Sequence, residues 1–132
     1  MQKNHAVRLE KIILFCADVL RLVGFYQKHF DLKVIGSADE NWTVMDAGGT
    51  SLAFHKMGAE YDTGDSRKEH SNVKIVFELD SDLKIFRENL IKNDVEVGPV
   101  KQFSGVSYLI CDGCDPEGNV FQVMQNLNEP EN

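Results

Sequence analysis

The sequence predicts an α+β fold built from two tandem modules, each with the element order β-α-β-β-β. The first observation is an internal repeat, because a shift of 63 residues aligns KIILFCADVLRL, starting at Lys11, with KIVFELDSDLKI, starting at Lys74. The second is a match of DAGGTSLAFH, starting at Asp46, with DPEGNVFQVM, starting at Asp115, after a shift of 69 residues. Two matches in the same chain order favour a duplicated module over chance similarity.

The first module covers about residues 8–56 and the second about residues 72–126. The segment between them, about residues 57–71, is polar and contains Gly, Asp and Ser, which is typical of a mobile linker. A chain of 132 residues is the usual length of one domain, so residues 1–132 are predicted to form a single domain.

Within each module, an apolar and β-branched strand ends at an aspartate that suits a helix N-cap, which is Asp18 in the first module and Asp80 or Asp82 in the second. A helical pattern follows; in the second module Leu83, Phe86 and Leu90 recur at i, i+3 and i+7. The predicted strands are 11–16, 32–35, 42–45 and 51–55 in the first module, and 74–79, 95–97, 107–111 and 120–124 in the second. Joined together, the modules are expected to form a curved, eight-stranded mixed sheet around a cavity, with the helices outside.

Composition and charge exclude several classes of function. The formal charge is −7, from 21 acidic and 14 basic residues, and such a surface repels nucleic acid. The longest apolar run, Ile12 to Ala17, is too short to cross a membrane, and the start MQKNHAVRLEK does not resemble a signal peptide. A cytoplasmic location is therefore predicted, with Cys16, Cys111 and Cys114 as reduced thiols.

Strand alternation divides the side chains into two faces. Ile75 and Phe77 belong to an apolar face that packs on the helix, while Lys74 and Glu78 belong to the other. The cavity lining predicted from these second faces comprises Lys11, Ile13, Phe15, Ser51, Ala53, His55, Lys74, Val76, Glu78, Val120, Gln122 and Met124. An apolar wall with a few polar groups is typical of a small-molecule site. The alternative is an open sheet whose polar face is solvated.

The pair of cysteines in CDGCDPEG has two further interpretations, a metal site and a redox site. A zinc site needs a second pair of ligands, and only Cys16 remains. A redox pair needs a helix N-terminus, whereas DPEG, from Asp115 to Gly118, has the composition of a type I turn leading into a strand. Two thiols at the end of a strand are the simpler interpretation.

Candidates for acid or base chemistry in the cavity are His55 and Glu78, the latter held ionised by Lys74. Trp42 and Tyr108 lie on neighbouring strands, where their rings either stack on a planar ligand or pack in the core.

The sequence resembles the vicinal oxygen chelate superfamily, which includes glyoxalase I, extradiol dioxygenases, methylmalonyl-CoA epimerase, and the fosfomycin-resistance and bleomycin-resistance proteins. The resemblance extends from about Arg8 to Asn126. It is carried by KIILFCADVLRLVGFYQKHFDLKV near the start and by the turn and strand DPEGNVFQV near the end.

Enzymes of this superfamily bind a divalent metal through His and Glu ligands on the first and last strand of each module. By motif, those positions fall here on Lys11, Ala53, Lys74 and Gln122, and none of the four is a histidine or a carboxylate. A lysine offers only donors, and zinc or iron sites require several nitrogen, sulfur or charged oxygen ligands. The resemblance therefore implies the fold without the metal, and no cofactor is predicted.

The predicted function is metal-independent binding of a small molecule, of the glyoxalase or bleomycin-resistance type, with sequestration of an antibiotic or metabolite. The alternative is a glyoxalase- or epimerase-like lyase or isomerase with displaced site residues. The resemblance also implies a homodimer. The residues predicted to bind the ligand are Lys11, Phe15, Trp42, His55, Lys74, Glu78, Tyr108 and Gln122.

Overall fold

The structure, a computed structural model, describes residues 9–58 and 73–127. The chain divides into two compact units, residues 1–64 and 65–132, and each contains one helix and one mixed sheet. The predicted linker lies almost wholly outside the described residues. None of the helices in the described ranges combines the length and the apolar character that crossing a membrane requires.

The first unit has the predicted β-α-β-β-β order. Its elements are β1 (Lys11–Cys16), α1 (Val19–Phe30), β2 (Lys33–Ile35), β3 (Trp42–Asp46) and β4 (Ser51–Lys56). The strands lie in the order β1-β4-β3-β2, with β1 parallel to β4 and the other pairs antiparallel. Asp18 caps the start of helix α1, where its carboxylate accepts the N–H of Arg21. Asp31, with a left-handed φ of 56°, caps the end of the helix. The buried ring of Tyr26 stacks on Phe54 of β4, so the helix covers one face of the sheet.

The second unit keeps this plan with one strand fewer. Its elements are β5 (Lys74–Leu79), α2 (Leu83–Lys92), β6 (Tyr108–Cys114) and β7 (Val120–Asn126), and the strand order is β5-β7-β6. As predicted, Asp82 caps α2, accepting the N–H groups of Lys84 and Ile85. Leu83 and Leu90 of the helix are buried and face the sheet. The structure thus confirms the α+β class and both helices, while eight strands in one curved sheet are not confirmed.

The strand predicted at residues 95–97 is absent, and an irregular edge takes its place. Val97 and Lys101 form only isolated bridges, to Gly113 and Ile110 of β6. Gly98 hydrogen-bonds to Asp112 and Lys101 to Ile110. The two residues of β6 are two positions apart along the chain, whereas their partners Gly98 and Lys101 are three positions apart. The extra residue forms a bulge. The physical reason is Pro99, which has no N–H and is tolerated at bulges rather than inside a strand.

The turn DPEG is confirmed, and a buried aspartate holds it together. Gly118 N–H donates to the carbonyl of Asp115 at 2.9 Å, closing the turn. The Asp115 carboxylate, 4% exposed, accepts the N–H groups of Glu117 and Asn119, each at 2.9 Å, and the side-chain amide of Asn119. In the corresponding turn of the first unit, the exposed Asp46 accepts the N–H of Gly48 and no other hydrogen bond from the described residues.

Replacing Asp115 by alanine is expected to lower the free energy of unfolding by about 1–2 kcal/mol, because buried N–H groups lose their acceptor. Asp46→Ala is the matched control, and its expected loss is below about 0.5 kcal/mol, since one exposed hydrogen bond disappears. Urea denaturation of both variants measures the difference. Equal losses in the two variants would show that burial of Asp115 does not matter.

Candidate functional site

The second face of the sheet in the second unit has the composition that alternation predicted. In the parallel pair of β5 and β7, Lys74 lies beside Val120, Val76 beside Gln122 and Glu78 beside Met124. All six side chains therefore share the face opposite α2.

Strand β6 adds an aspartate to this face that the sequence interpretation missed. Asp112 lies directly opposite Gln122 in the antiparallel pair of β6 and β7. The Gln122 Nε2 donates to Asp112 Oδ1 at 2.9 Å, and the Lys74 Nζ donates to Asp112 Oδ2 at 2.9 Å. Each of the three strands thus contributes one side chain, and the Asp112 carboxylate accepts from the other two. We call Lys74, Asp112 and Gln122 the polar triad.

The signal for Asp112 was present in the sequence but depended on the length of the strand. The predicted strand stopped at Cys111, so Asp112 was assigned to no strand face. In the structure β6 continues to Cys114, and the antiparallel register then brings Asp112 level with Gln122. Continuing the alternation of side chains from Cys111 to Cys114 would have identified Asp112 as a residue of this face.

Asp112 is an ionised hydrogen-bond acceptor. Partial burial raises the pKa of its carboxyl, but hydrogen bonds from Gln122 and Lys74 and the charges of Lys74 and Lys101 outweigh burial and lower it below the ordinary value. A carboxylate with a lowered pKa is a weak base at neutral pH. The ion-pair partner of Lys74 is Asp112, whereas the sequence interpretation placed Lys74 next to Glu78.

A pocket of about 310 Å³ opens beside the polar triad, within the second unit. Its charged and polar lining consists of Lys74, Lys101, Asp112 and Gln122. Its remaining lining, largely apolar, consists of Gly98, Pro99, Phe103, Ile110 and Cys111. The pocket thus combines a polar side with an apolar one, which is the usual composition of a small-molecule site.

Two predicted site residues of the second unit lie on the same face but outside this pocket. Glu78 pairs with Met124 and Tyr108 with Asn126, so both stand toward the opposite end of the sheet from Lys74. Neither residue lines the pocket.

In the first unit, three predicted site residues form an aromatic cluster. The His55 ring lies 5.1 Å from that of Phe15 and 5.7 Å from that of Trp42, between centroids. Phe15 is 58% exposed and Trp42 37%, so their rings are not core residues of this unit. Lys11 stands at the other end of β1, where its Nζ pairs with Glu10 at 2.7 Å.

The four positions that the sequence resemblance assigns to metal ligands do not suit a metal. Ala53 is fully buried and has no ligating atom, while Lys11 and Lys74 are ion-paired donors. Gln122 directs its amide N–H groups to Asp112, the orientation that a neighbouring carboxylate requires. Over residues 9–58 and 73–127, no group of three His, Cys, Asp or Glu side chains is arranged to hold a metal ion.

The two cysteines of CDGC cannot act as a pair. Cys111 lies opposite Val123 and Cys114 opposite Val120, so their side chains are on opposite faces of β6. Three residues of strand span about 10 Å, beyond the reach of a disulfide. Cys111 is buried, and burial raises the pKa of its thiol, which makes it unreactive.

Comparison with known proteins relates the chain to solved structures only, since no protein-family profile and no curated protein sequence matches it. A fosfomycin resistance protein, FosX, from Listeria monocytogenes superposes with a TM-score of 0.74 at 17% identity, over 92% of this chain and 95% of that one. Another structure of that protein contains Mn(II) and a sulfate ion.

Lactoylglutathione lyase from Agrobacterium tumefaciens superposes with a TM-score of 0.70 at 14% identity, over 92% of this chain and 96% of that one. An integron cassette protein from the mobile metagenome of V. cholerae gives 0.69 at 18% identity, over 94% and 98%. At such identities the likeness concerns the fold, and it extends over nearly the whole length of each chain.

Proposed function

The chain has the fold of the vicinal oxygen chelate superfamily, as its sequence resemblance predicted, and we propose that it uses this fold to bind a small molecule without a metal. The ligand site is the pocket of the second unit. The observation that carries the proposal is the polar triad, because an internal hydrogen-bond network involves both positions at which the superfamily places a metal ligand in this module.

The triad disfavours a divalent cation on electrostatic grounds. A metal bound to Asp112 would displace donors from both of its carboxylate oxygens, and the ammonium group of Lys74 would then lie unpaired beside it. Two like charges a few ångströms apart repel strongly when partly buried. One carboxylate and one amide oxygen also fall short of the three or four ligands that zinc sites use.

The same geometry supports binding more than catalysis. Asp112, whose carboxyl pKa is lowered, is a weak base at neutral pH, and no other acidic or histidine side chain of the described residues lines the pocket. Sequestration of an antibiotic or metabolite is accordingly our proposal for the role of the pocket. We also propose that the ligand contacts the predicted site residues of the first unit, Lys11, Phe15, Trp42 and His55. The resemblance implies a homodimer, which we propose as well and which sedimentation velocity would detect.

Metal analysis tests the proposal directly. Protein purified without chelator is expected to contain far less than one equivalent of Zn, Ni, Mn or Fe after dialysis, and its melting temperature is expected to be the same with and without added Mn²⁺. Lys74→Ala is the informative variant: removing the repelling ammonium group is expected to allow weak Mn²⁺ binding at Asp112.

A near-stoichiometric metal content that survives dialysis in the native chain would overturn metal independence. Inductively coupled plasma mass spectrometry measures that content, and titration calorimetry measures the Mn²⁺ affinity of both proteins.

A further inference from the structure

We propose that the pocket selects a small monoanion with an apolar body, such as an aryl or alkyl carboxylate, and that Lys101 binds its charged group. This inference rests on the proposed function, because it names the ligand class of the same pocket. Its basis is the distribution of charge along the pocket wall.

Three charged side chains line the pocket, two lysines and one aspartate, so one positive charge is in excess. Lys74 and Asp112 neutralise each other at 2.9 Å. Within the described part of the chain, the ammonium group of Lys101 forms no hydrogen bond and no ion pair, and the residue is exposed. The pocket therefore carries one net positive charge in a chain whose formal charge is −7. Such a local excess attracts an anion.

The bulge at the sheet edge turns Lys101 toward the pocket. Val97 pairs with Gly113, on the face that α2 covers, whereas Lys101 pairs with Ile110, on the face of the triad. Residues 97 and 101 would share a face in a regular strand, and the extra residue of the bulge reverses this. The polar triad and Lys101 thus converge on one side of the sheet.

Backbone hydrogen bonds fix the position of Lys101. Its N–H donates to the Ile110 carbonyl at 2.8 Å and its carbonyl accepts from Ile110 at 2.9 Å. On the other side of the bulge, Arg87 of α2 donates through Nε to the Gly98 carbonyl at 2.6 Å. The fixed backbone keeps the Lys101 ammonium group within reach of the pocket.

Size and polarity define the rest of the ligand. The volume of about 310 Å³ is at the lower limit for small-molecule sites, so the ligand is small. Phe103, 58% exposed, and the buried Ile110 offer it apolar contacts. A second negative charge on the ligand would have only Lys74 to bind, and Asp112 already occupies that ammonium group.

Titration calorimetry with four single-ring probes tests the inference: benzoate, benzamide, benzylamine and the dianion of phenylphosphonate at mildly alkaline pH. Benzoate is expected to bind the native chain up to about fivefold more tightly than the other three probes, since one charge pair at an exposed lysine contributes at most about this factor. Lys101→Gln is expected to remove this advantage, and Lys101→Arg to retain most of it.

Two further variants separate the local charge from the total charge. Lys84→Gln makes the same change of net charge on α2, outside the pocket lining, and is expected to leave benzoate binding unchanged. Asp112→Asn frees the charge of Lys74 and is expected to shift the preference toward phenylphosphonate.

The outcomes distinguish this inference from the proposal on which it rests. Benzamide or benzylamine binding as tightly as benzoate, or benzoate binding that Lys101→Gln does not weaken, overturns the charge assignment while small-molecule binding in the pocket stands. If none of the four probes binds and the purified chain holds stoichiometric metal, the proposed function itself is overturned.

Discussion

Replacing Gly113 by alanine is expected to lower the free energy of unfolding by about 2–3 kcal/mol. A Cβ at this buried position would lie 2.5 Å from Cζ of Phe121 and 2.8 Å from the carbonyl oxygen of Glu96. Both distances are shorter than van der Waals contact, so the ring and the edge segment must move apart. The side chain of Phe121 is fully buried and cannot rotate away without leaving a cavity.

Gly98→Ala is the matched control, because it changes a glycine on the neighbouring segment of the same unit. The nearest atom to its added Cβ is the carbonyl oxygen of Asp112, at 3.6 Å, which is ordinary contact. Its expected effect is within about 0.5 kcal/mol of zero. Urea denaturation measures both variants.

A double variant identifies the source of the loss. Phe121→Leu removes the ring atoms that meet the new Cβ, so Gly113→Ala should cost less in that background than in the native one. Equal costs in the two backgrounds would place the strain at the Glu96 backbone alone. A loss of less than about 0.5 kcal/mol in Gly113→Ala would contradict the packing argument altogether.

The residues that the sequence located correctly are those governed by regular alternation. Lys74 and Gln122 occupy matching positions in a repeated strand, and the parallel register of β5 and β7 places them on one face. The N-caps at Asp18 and Asp82 were equally predictable, since the interaction of a carboxylate with the first helical turn is local.

What the sequence did not locate depends on departures from regularity. Asp112 was missed because the predicted strand ended at Cys111, whereas β6 continues through Gly113, where the absence of a side chain allows the close approach of Phe121. Lys101 was missed because it lies beyond the strand predicted at 95–97, and the bulge at Pro99 sets the face on which it lies. Strand ends and bulges are set by tertiary packing, which a local pattern does not contain.

Replacing Gln122 by glutamate is expected to reverse the electrostatics of the polar triad. The amide that donates to Asp112 Oδ1 at 2.9 Å would become a second carboxylate. Two carboxylates at this distance cannot both ionise freely, so one pKa of the pair rises above the ordinary range of Asp and Glu. We expect a loss of roughly 1–2 kcal/mol of stability at neutral pH.

The sign of the pH dependence distinguishes this repulsion from a lost hydrogen bond. A carboxyl whose pKa is higher in the folded than in the unfolded chain stabilises the fold only when protonated, so the Gln122→Glu variant should recover stability as pH falls through the raised pKa. The neutral control Gln122→Met loses the same hydrogen bond, and its deficit should stay constant from neutral pH down to the range in which Asp112 titrates. Denaturation over a pH series, with carboxyl NMR titration, measures both.

A divalent cation provides the final test of what the amide at position 122 does. Mn²⁺ would relieve repulsion between the two carboxylates, so it is expected to raise the melting temperature of Gln122→Glu and leave that of the native chain unchanged. Stabilisation of both proteins by Mn²⁺ would show that the native triad already accepts a metal. Stabilisation of the variant alone would identify the amide of Gln122 as the feature that separates this site from a metal centre.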